Sequence, residues 1–138
     1  MLEGNLCGLQ HLGLPVTDIE RSKAFYSRLG FTVTMTSELS SGEGAIQVTM
    51  MELSGLVLEL YQLAGTQRAE IGAREDGHID HIALDVVDIE QAFADVRAAG
   101  LELLEDAPVF LPFWEHGVRY FNVRGPDGEK VEFNQRLP

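Results

Sequence analysis

The sequence is poor in cysteine and in basic residues, and both shortages narrow what the chain can be. Cys7 is the only cysteine among 138 residues. No internal disulfide can form, and a reducing compartment suits the chain. Ten Lys and Arg stand against 22 Asp and Glu, for a formal charge of −12. Repulsion from phosphate then opposes both nucleic-acid binding and docking on anionic membranes, so neither partner is expected. The acids are scattered and form no single-sign block. No apolar run approaches the roughly 20 residues that a membrane-spanning helix needs, and the N-terminus lacks a secretory pattern. The expected location is the cytoplasm. With 45% hydrophobic residues, the chain has enough apolar surface for one globular domain with a sizeable core.

What is present is a repeat. His11-Leu-Gly-Leu-Pro-Val-Thr-Asp-Ile-Glu runs on to Gly30, and His81-Ile-Ala-Leu-Asp-Val-Val-Asp-Ile-Glu runs on to Gly100. Aligning the histidines matches Leu14 with Leu84, Val16 with Val86, the two Asp-Ile-Glu triplets and both glycines. A second match follows: Gly55-Leu-Val-Leu-Glu59-Leu-Tyr-Gln parallels Gly128-Glu-Lys-Val-Glu132-Phe-Asn-Gln. The chain is two copies of one unit, spanning about 9–62 and 79–135 and joined by a connection over 63–78.

Within the first unit, alternation over 9–16 predicts a strand. Asp18 then caps a helix that reaches Leu29, with Ile19, Phe25, Tyr26 and Leu29 as its apolar stripe and Gly30 as its left-handed stop. Phe31, Val33 and Met35 alternate with threonines, which predicts a half-buried strand. A turn at 40–44 precedes a strand marked by Ile46, Val48 and Met50. A tight Ser54-Gly55 hairpin leads to a strand over 56–62. The connection has no clean period and at most a short helical turn. The second unit repeats the order. A strand spans 79–87, and Asp88 with Gln91 forms a capping box. A helix carries Ile89, Ala92, Phe93, Val96 and Ala99, and strands follow near 101–105, 117–124 and 129–135. Gly125-Pro-Asp-Gly makes the last turn, and 107–116 reads as a loop. The fold class is α+β: two tandem βαβββ units forming curved mixed sheets, with helices outside and a concave face opposite.

Alternation also gives direction. Leu58 and Leu60, like Val131 and Phe133, must face the helices, so Glu59 and Glu132 face the other way. Leu12, Leu14, Ile82 and Leu84 take the helix side, which turns His11 and His81 to the concave side beside the small Gly13 and Ala83. Two imidazoles and two carboxylates on one face suit a divalent metal such as Ni, Co, Fe, Mn or Zn. Four protein ligands leave two positions open in an octahedron for a small-molecule substrate or waters. The blander reading is that the repeat records duplication alone, with the glutamates half exposed at sheet edges. His78 lies three residues before His81 and reads as surface. Phe113, Trp114, Glu115 and His116 either close over the cavity or pack at an interface. Arg119 and Tyr120 point to opposite faces, so only one of them sees the cavity.

The words His11, Val16-Thr-Asp-Ile-Glu-Arg-Ser-Lys-Ala-Phe-Tyr, Leu29-Gly-Phe, His81-Ile-Ala-Leu and Gly125-Pro-Asp-Gly with Glu132 resemble the vicinal oxygen chelate superfamily. That group holds glyoxalase I, methylmalonyl-CoA epimerase, extradiol dioxygenases, and bleomycin- and fosfomycin-resistance proteins. The set His11, Glu59, His81, Glu132 looks like the metal ligands of bacterial glyoxalase I. The resemblance implies nickel or cobalt ahead of zinc, manganese or iron, and isomerisation of a hemithioacetal through a metal-stabilised enediolate. It implies Glu132 as the proton-carrying carboxylate, Glu59 as its counterpart, and a homodimer whose ligands come from one chain or from two. Glutathione-using members commonly carry Arg where Pro15 stands and Asn near Leu63. Neither is present, which speaks against glutathione and leaves another thiol or a different carbonyl compound. The competing activities are ranked behind. An epimerase usually has Gln at the place of Glu59. For an extradiol dioxygenase, with its three-ligand iron site, Glu59 would be surplus. A metal-free binding or resistance protein has no use for four ligand types.

Overall fold

A computed structural model of the chain describes residues 11–75, 81–111 and 115–138. The expectations for Cys7, His78, Phe113 and Trp114 lie outside these residues. The chain divides into two compact units, Met1–Ala73 and Arg74–Pro138.

In the first unit the elements are β1 (Leu12–Pro15), α1 (Ile19–Arg28), β2 (Thr32–Ser41), β3 (Gly44–Leu53), β4 (Leu56–Gln62) and α2 (Gly65–Gly72). The sheet order is β1-β4-β3-β2, with β1 parallel to β4 and the other pairs antiparallel. The second unit repeats this with β5 (His81–Asp85), α3 (Ile89–Ala98), β6 (Val109–Leu111), β7 (Val118–Arg124) and β8 (Lys130–Arg136). Its order is β5-β8-β7-β6, and β5 is parallel to β8. This is the α+β architecture of two tandem βαβββ units.

Each helix covers the middle of its sheet: α1 packs on β3 and β4, and α3 on β7 and β8. The centres of the apolar stripes are where the period places them, while Leu29 and Ala92 are half-buried and Ala99, the C-cap residue of α3, is exposed. Ile19, Phe25 and Tyr26 are buried on α1, and Ile89, Phe93 and Val96 on α3. Tyr26 meets Phe25 and Phe31 edge-on at 5.1 and 5.7 Å. Phe121 meets Phe93 edge-on at 5.0 Å and stacks on Phe133 at 4.9 Å. The helix-facing residues of the inner strands are closed off, with Leu58, Leu60 and Val131 at most 1% exposed. Burying one such side chain is worth about 2 kcal/mol, so a one-residue slip that exposed Leu58 and Leu60 is strongly disfavoured.

Both helices start as expected. Asp18 accepts from the Arg21 N–H, and Asp88 from the Glu90 and Gln91 N–H groups. The capping box at Asp88 is only half made, because Gln91 Nε2 donates instead to Asp95 Oδ1 at 2.8 Å. A different glutamine completes each start. Gln62 Oε1 accepts from Ile19 N at 2.8 Å, and Gln135 Oε1 from Ile89 N at 3.1 Å. These are the glutamines that close the repeated Glu-x-x-Gln words, so the last strand of each unit caps its own helix.

Three expectations are corrected. The strand containing Val33 and Met35 is exposed along its whole length, with Val33 at 45% and Met35 at 40%. It is the sheet edge, paired only with β3, and α1 lies over the inner strands. No strand forms over 101–105; Leu103 makes an isolated bridge to Val123. The outer strand is instead β6, inside the stretch expected to be a loop. Its three residues are too few for an alternation pattern to register. The connection holds the two-turn helix α2, whose N-cap residue, Ala64, has no side chain to cap with. Glu43, from the β2–β3 turn, takes that place and accepts from Thr66 N at 3.0 Å. Gly65 has φ 58°, and a Cβ there would collide with the Glu43 carboxylate, so both its conformation and its lack of a side chain are required.

Gln135→Leu is expected to strand the N–H of Ile89 and the carbonyl of Val87, which it also bonds. A loss of about 1–3 kcal/mol should follow, read as a lower urea midpoint at unchanged slope.

Candidate metal centre

The direction expected for the four candidate ligands can be checked strand by strand. In β4, Glu59 stands between the buried Leu58 and Leu60, and in β8 Glu132 stands between the buried Val131 and Phe133. The parallel neighbours set the partners: Gly13 lies opposite Glu59, and Ala83 opposite Glu132. The histidine two residues earlier therefore shares a face with each glutamate. His11 Nε2 is 3.2 Å from Glu59 Oε2, and His81 Nε2 is 3.6 Å from Glu132 Oε2. A Cβ on Gly13 would stand 3.5 Å from Glu59 Oε2, an ordinary contact, so the position accepts a small residue such as the Ala83 found opposite Glu132.

The four residues are thus brought together as two pairs, one in each unit. Among the described residues no group of three or more His, Cys, Asp or Glu side chains is gathered closely enough to hold a metal ion. The pair geometry suits a shared cation. Ligand atoms about 2.1 Å from a metal lie about 3.0–3.4 Å apart at octahedral to tetrahedral angles. The 3.2 Å pair falls within that spacing and the 3.6 Å pair lies about 0.2 Å beyond it.

The surroundings of the two carboxylates differ. Asn134, two residues beyond Glu132 on the same face, donates from Nδ2 to Glu132 Oε1 at 2.6 Å. That bond leaves Oε2 toward His81. The place of Asn134 is taken by Tyr61 in the first unit. The Glu132 side chain is also the more enclosed, 14% exposed against 27% for Glu59. Across the sheet, Asn122 lies opposite Glu132 and is itself clamped. Glu105 accepts from its backbone N–H at 2.6 Å and from Nδ2 at 2.9 Å.

A cavity of about 600 Å³ opens on this face of the second unit, with His81, Glu132, Asn134, Tyr120, Lys130 and Arg136 among its lining residues. Tyr120 is the member of its pair that sees the cavity. Arg119 turns away to pair with Glu90. His116 lies near Glu115, at 3.9 Å, with its side chain 56% exposed, and is not among the cavity's lining residues. Sequence reasoning stopped at the glutamates and missed Asn134, Asn122 and Lys130. The signal was available for Lys130 and Asn134, since the same period of two that orients Glu132 carries two residues in either direction.

Comparison with known proteins adds a family. The model described as the Glyoxalase/Bleomycin resistance protein/Dioxygenase superfamily matches residues 8–133. An uncharacterized protein of Bacillus subtilis strain 168, YwbC, is 29% identical over 129 residues, covering 93% of this chain and 97% of that protein. Among solved structures, a glyoxalase family protein from Enterococcus faecalis superposes with a TM-score of 0.72 at 20% identity, covering 94% of this chain and 98% of the other. The genomically encoded fosfomycin resistance protein FosX from Listeria monocytogenes gives 0.70 at 16% identity, covering 96% and 95%. At these identities the likeness is one of fold.

Replacing Asn134 by Leu should free Glu132 to rotate. Co(II) affinity is expected to fall on the order of 10–100-fold, measured by titration calorimetry, with the far-UV circular dichroism unchanged.

Proposed function

Because the chain belongs to the Glyoxalase/Bleomycin resistance protein/Dioxygenase superfamily, we propose that it is a metal-dependent, glyoxalase I-like lyase or isomerase. Its substrate is a small carbonyl compound or thiol adduct, and its reaction moves a proton between neighbouring carbons. The observation that carries this reading is the facing His–Glu pair found at the same repeat position in both units, at 3.2 and 3.6 Å. His11, Glu59, His81 and Glu132 would hold one divalent metal, with nickel or cobalt the first candidates. Two neutral imidazoles and two carboxylates balance its charge.

When bound, the metal supplies Lewis-acid stabilisation for negative charge developing on the substrate's oxygens. The rest falls to the chain's own groups. Glu132 takes the proton from one carbon and returns it to the next, which requires a carboxylate oxygen within hydrogen-bond reach of that C–H. Asn134 holds the other oxygen, so Glu132 is aimed without being immobilised at both atoms. Glu59 is the counterpart carboxylate. Pro15 and Leu63 offer no charge to the carboxylates of glutathione, so the thiol, if one is used, is a different one. We further propose a homodimer working in the cytoplasm.

Protein purified without chelator is expected to retain or take up nickel or cobalt. It should then show turnover in a screen of thiols against small aldehydes. Glu132→Gln should lower that turnover at least about 100-fold, the usual scale for a lost general base, with folding intact. The reading is sunk by absence of metal uptake, or by full activity in Glu132→Gln.

A further inference from the structure

The two units share a fold and a His–Glu pair, which makes each a control for the other. In both, one strand residue stands directly opposite the glutamate: Met50 opposite Glu59, and Asn122 opposite Glu132. Five residues past the matched glycines stand Met35 in the first unit and Glu105 in the second. Met35 and Met50 are ordinary strand neighbours. Where the first unit has these two methionines, the second has an acid and an amide that bond to each other. Residues 102–104 run beside β7, with Arg124 N donating to Glu102 O at 2.9 Å and Leu104 N to Asn122 O at 3.0 Å. The Glu105 carboxylate takes the next place along the strand. Its Oε2 accepts from the Asn122 backbone N–H and its Oε1 from Nδ2.

The fold explains the backbone bond, since a strand N–H left without a partner strand needs an acceptor. It does not explain the bond to Nδ2, because the first unit accepts methionine opposite its glutamate. The second bond orients the amide. A carboxylate only accepts, so Nδ2 must face Glu105 and Oδ1 must face away from it. Asn122 is 9% exposed and lines the cavity together with Glu132. Among the described residues nothing donates to its Oδ1, and that oxygen is not sealed from solvent. We propose that Asn122 is a specificity-determining residue whose amide oxygen, aimed by Glu105, accepts a hydrogen bond from an O–H or N–H of the substrate beside Glu132. Glu105 is its positioning residue. The assignment deepens the metal-enzyme reading and rests on it for Glu132 as the neighbouring base. Directly opposite residues of an antiparallel pair have Cβ atoms about 5 Å apart, so one small substrate reaches both side chains. A ligand without a donor would cover Oδ1 and leave it unpaired, and that cost is the source of the selectivity.

The test uses three ketones of one skeleton: hydroxyacetone with an O–H, acetamidoacetone with an N–H, and methoxyacetone with neither. Binding is measured by amide chemical-shift titration on metal-free and on Zn(II)-loaded full-length protein. Wild type is expected to bind at least one donor probe about fivefold or more tightly than the ether. The better of the two donor probes tells O–H from N–H. Asn122→Met, the residue of the first unit, should erase that preference, and Glu105 keeps its backbone bond in that variant. Glu105→Gln makes the sharper prediction. The Asn122 backbone N–H requires the oxygen of the new side chain, which turns its NH2 toward the Asn122 amide and so turns that amide over. The cavity then faces an NH2 group, and the preference should vanish or invert in favour of the ether. A merely structural contact, once lost, would weaken all three probes alike. Far-UV circular dichroism checks that Glu105→Gln folds; if it does not, Asn122→Met decides. Equal binding of the three probes by wild type, no binding of either donor probe, or an undiminished preference in Asn122→Met or in folded Glu105→Gln overturns the proposal. If Zn(II) and Co(II) both fail to bind while the Asn122-dependent preference persists, the metal reading falls and the acceptor site stands.

Discussion

Everything that orients this site depends on the burial of alternate residues in β4 and β8 under their helices. Leu58 and Leu60 are closed off on one side of Glu59, as are Val131 and Phe133 around Glu132. Because the side-chain period of a strand is two, moving any of these residues would turn every other one with it. The apolar side has no alternative partner of comparable size, so the register holds and the carboxylates are carried to the opposite face. The parallel pairings of β1 with β4 and β5 with β8 then set each histidine beside its glutamate. The helix-side core thus provides the rigidity that presents the His–Glu pairs.

The same strands serve a second purpose at their ends. Gln62 and Gln135 leave β4 and β8 to accept from the first N–H groups of α1 and α3. A helix start has free N–H donors that must be satisfied, and here the final strand of the unit supplies one acceptor for each. The strand that carries the glutamate and the helix that buries its neighbours are therefore tied twice, by packing and by this hydrogen bond. Glu43 does similar duty for α2, reaching from a hairpin turn to a helix that has no capping side chain of its own.

Duplication makes the differences between the units informative. Both keep the histidine, the glutamate, the aspartate cap and the terminal glutamine. They diverge at the positions around the carboxylate: Asn134 replaces Tyr61 and Lys130 replaces Val57 in the repeat, and the residue paired opposite the glutamate is Asn122 in one unit and Met50 in the other. The consequence for Glu132 is a hydrogen bond at 2.6 Å from Asn134 and a cavity that has Lys130 and Arg136 among its lining residues. The family likeness covers residues 8–133 and accounts for what the units share.

By itself the sequence determined the two βαβββ units, the Asp18 and Asp88 caps, the Ser54-Gly55 and Gly125–Gly128 turns, and the facing direction of His11, Glu59, His81 and Glu132. These rest on local periods and turn chemistry, which a chain carries without reference to its neighbours. Tertiary structure alone decided the rest. Val33 and Met35 alternate like a half-buried strand, but only the sheet order puts them on the outer strand, where both stay exposed. Gln91 has the spacing of a capping box, but Asp95 one turn on competes for its amide. β6 exists because β7 offers it a partner, since three residues have too short a pattern to declare themselves. Asn134 reaches Glu132 only because two side chains on one face of β8 happen to adopt rotamers that meet. Residue periods say which way a side chain points; what it meets there depends on the other strands.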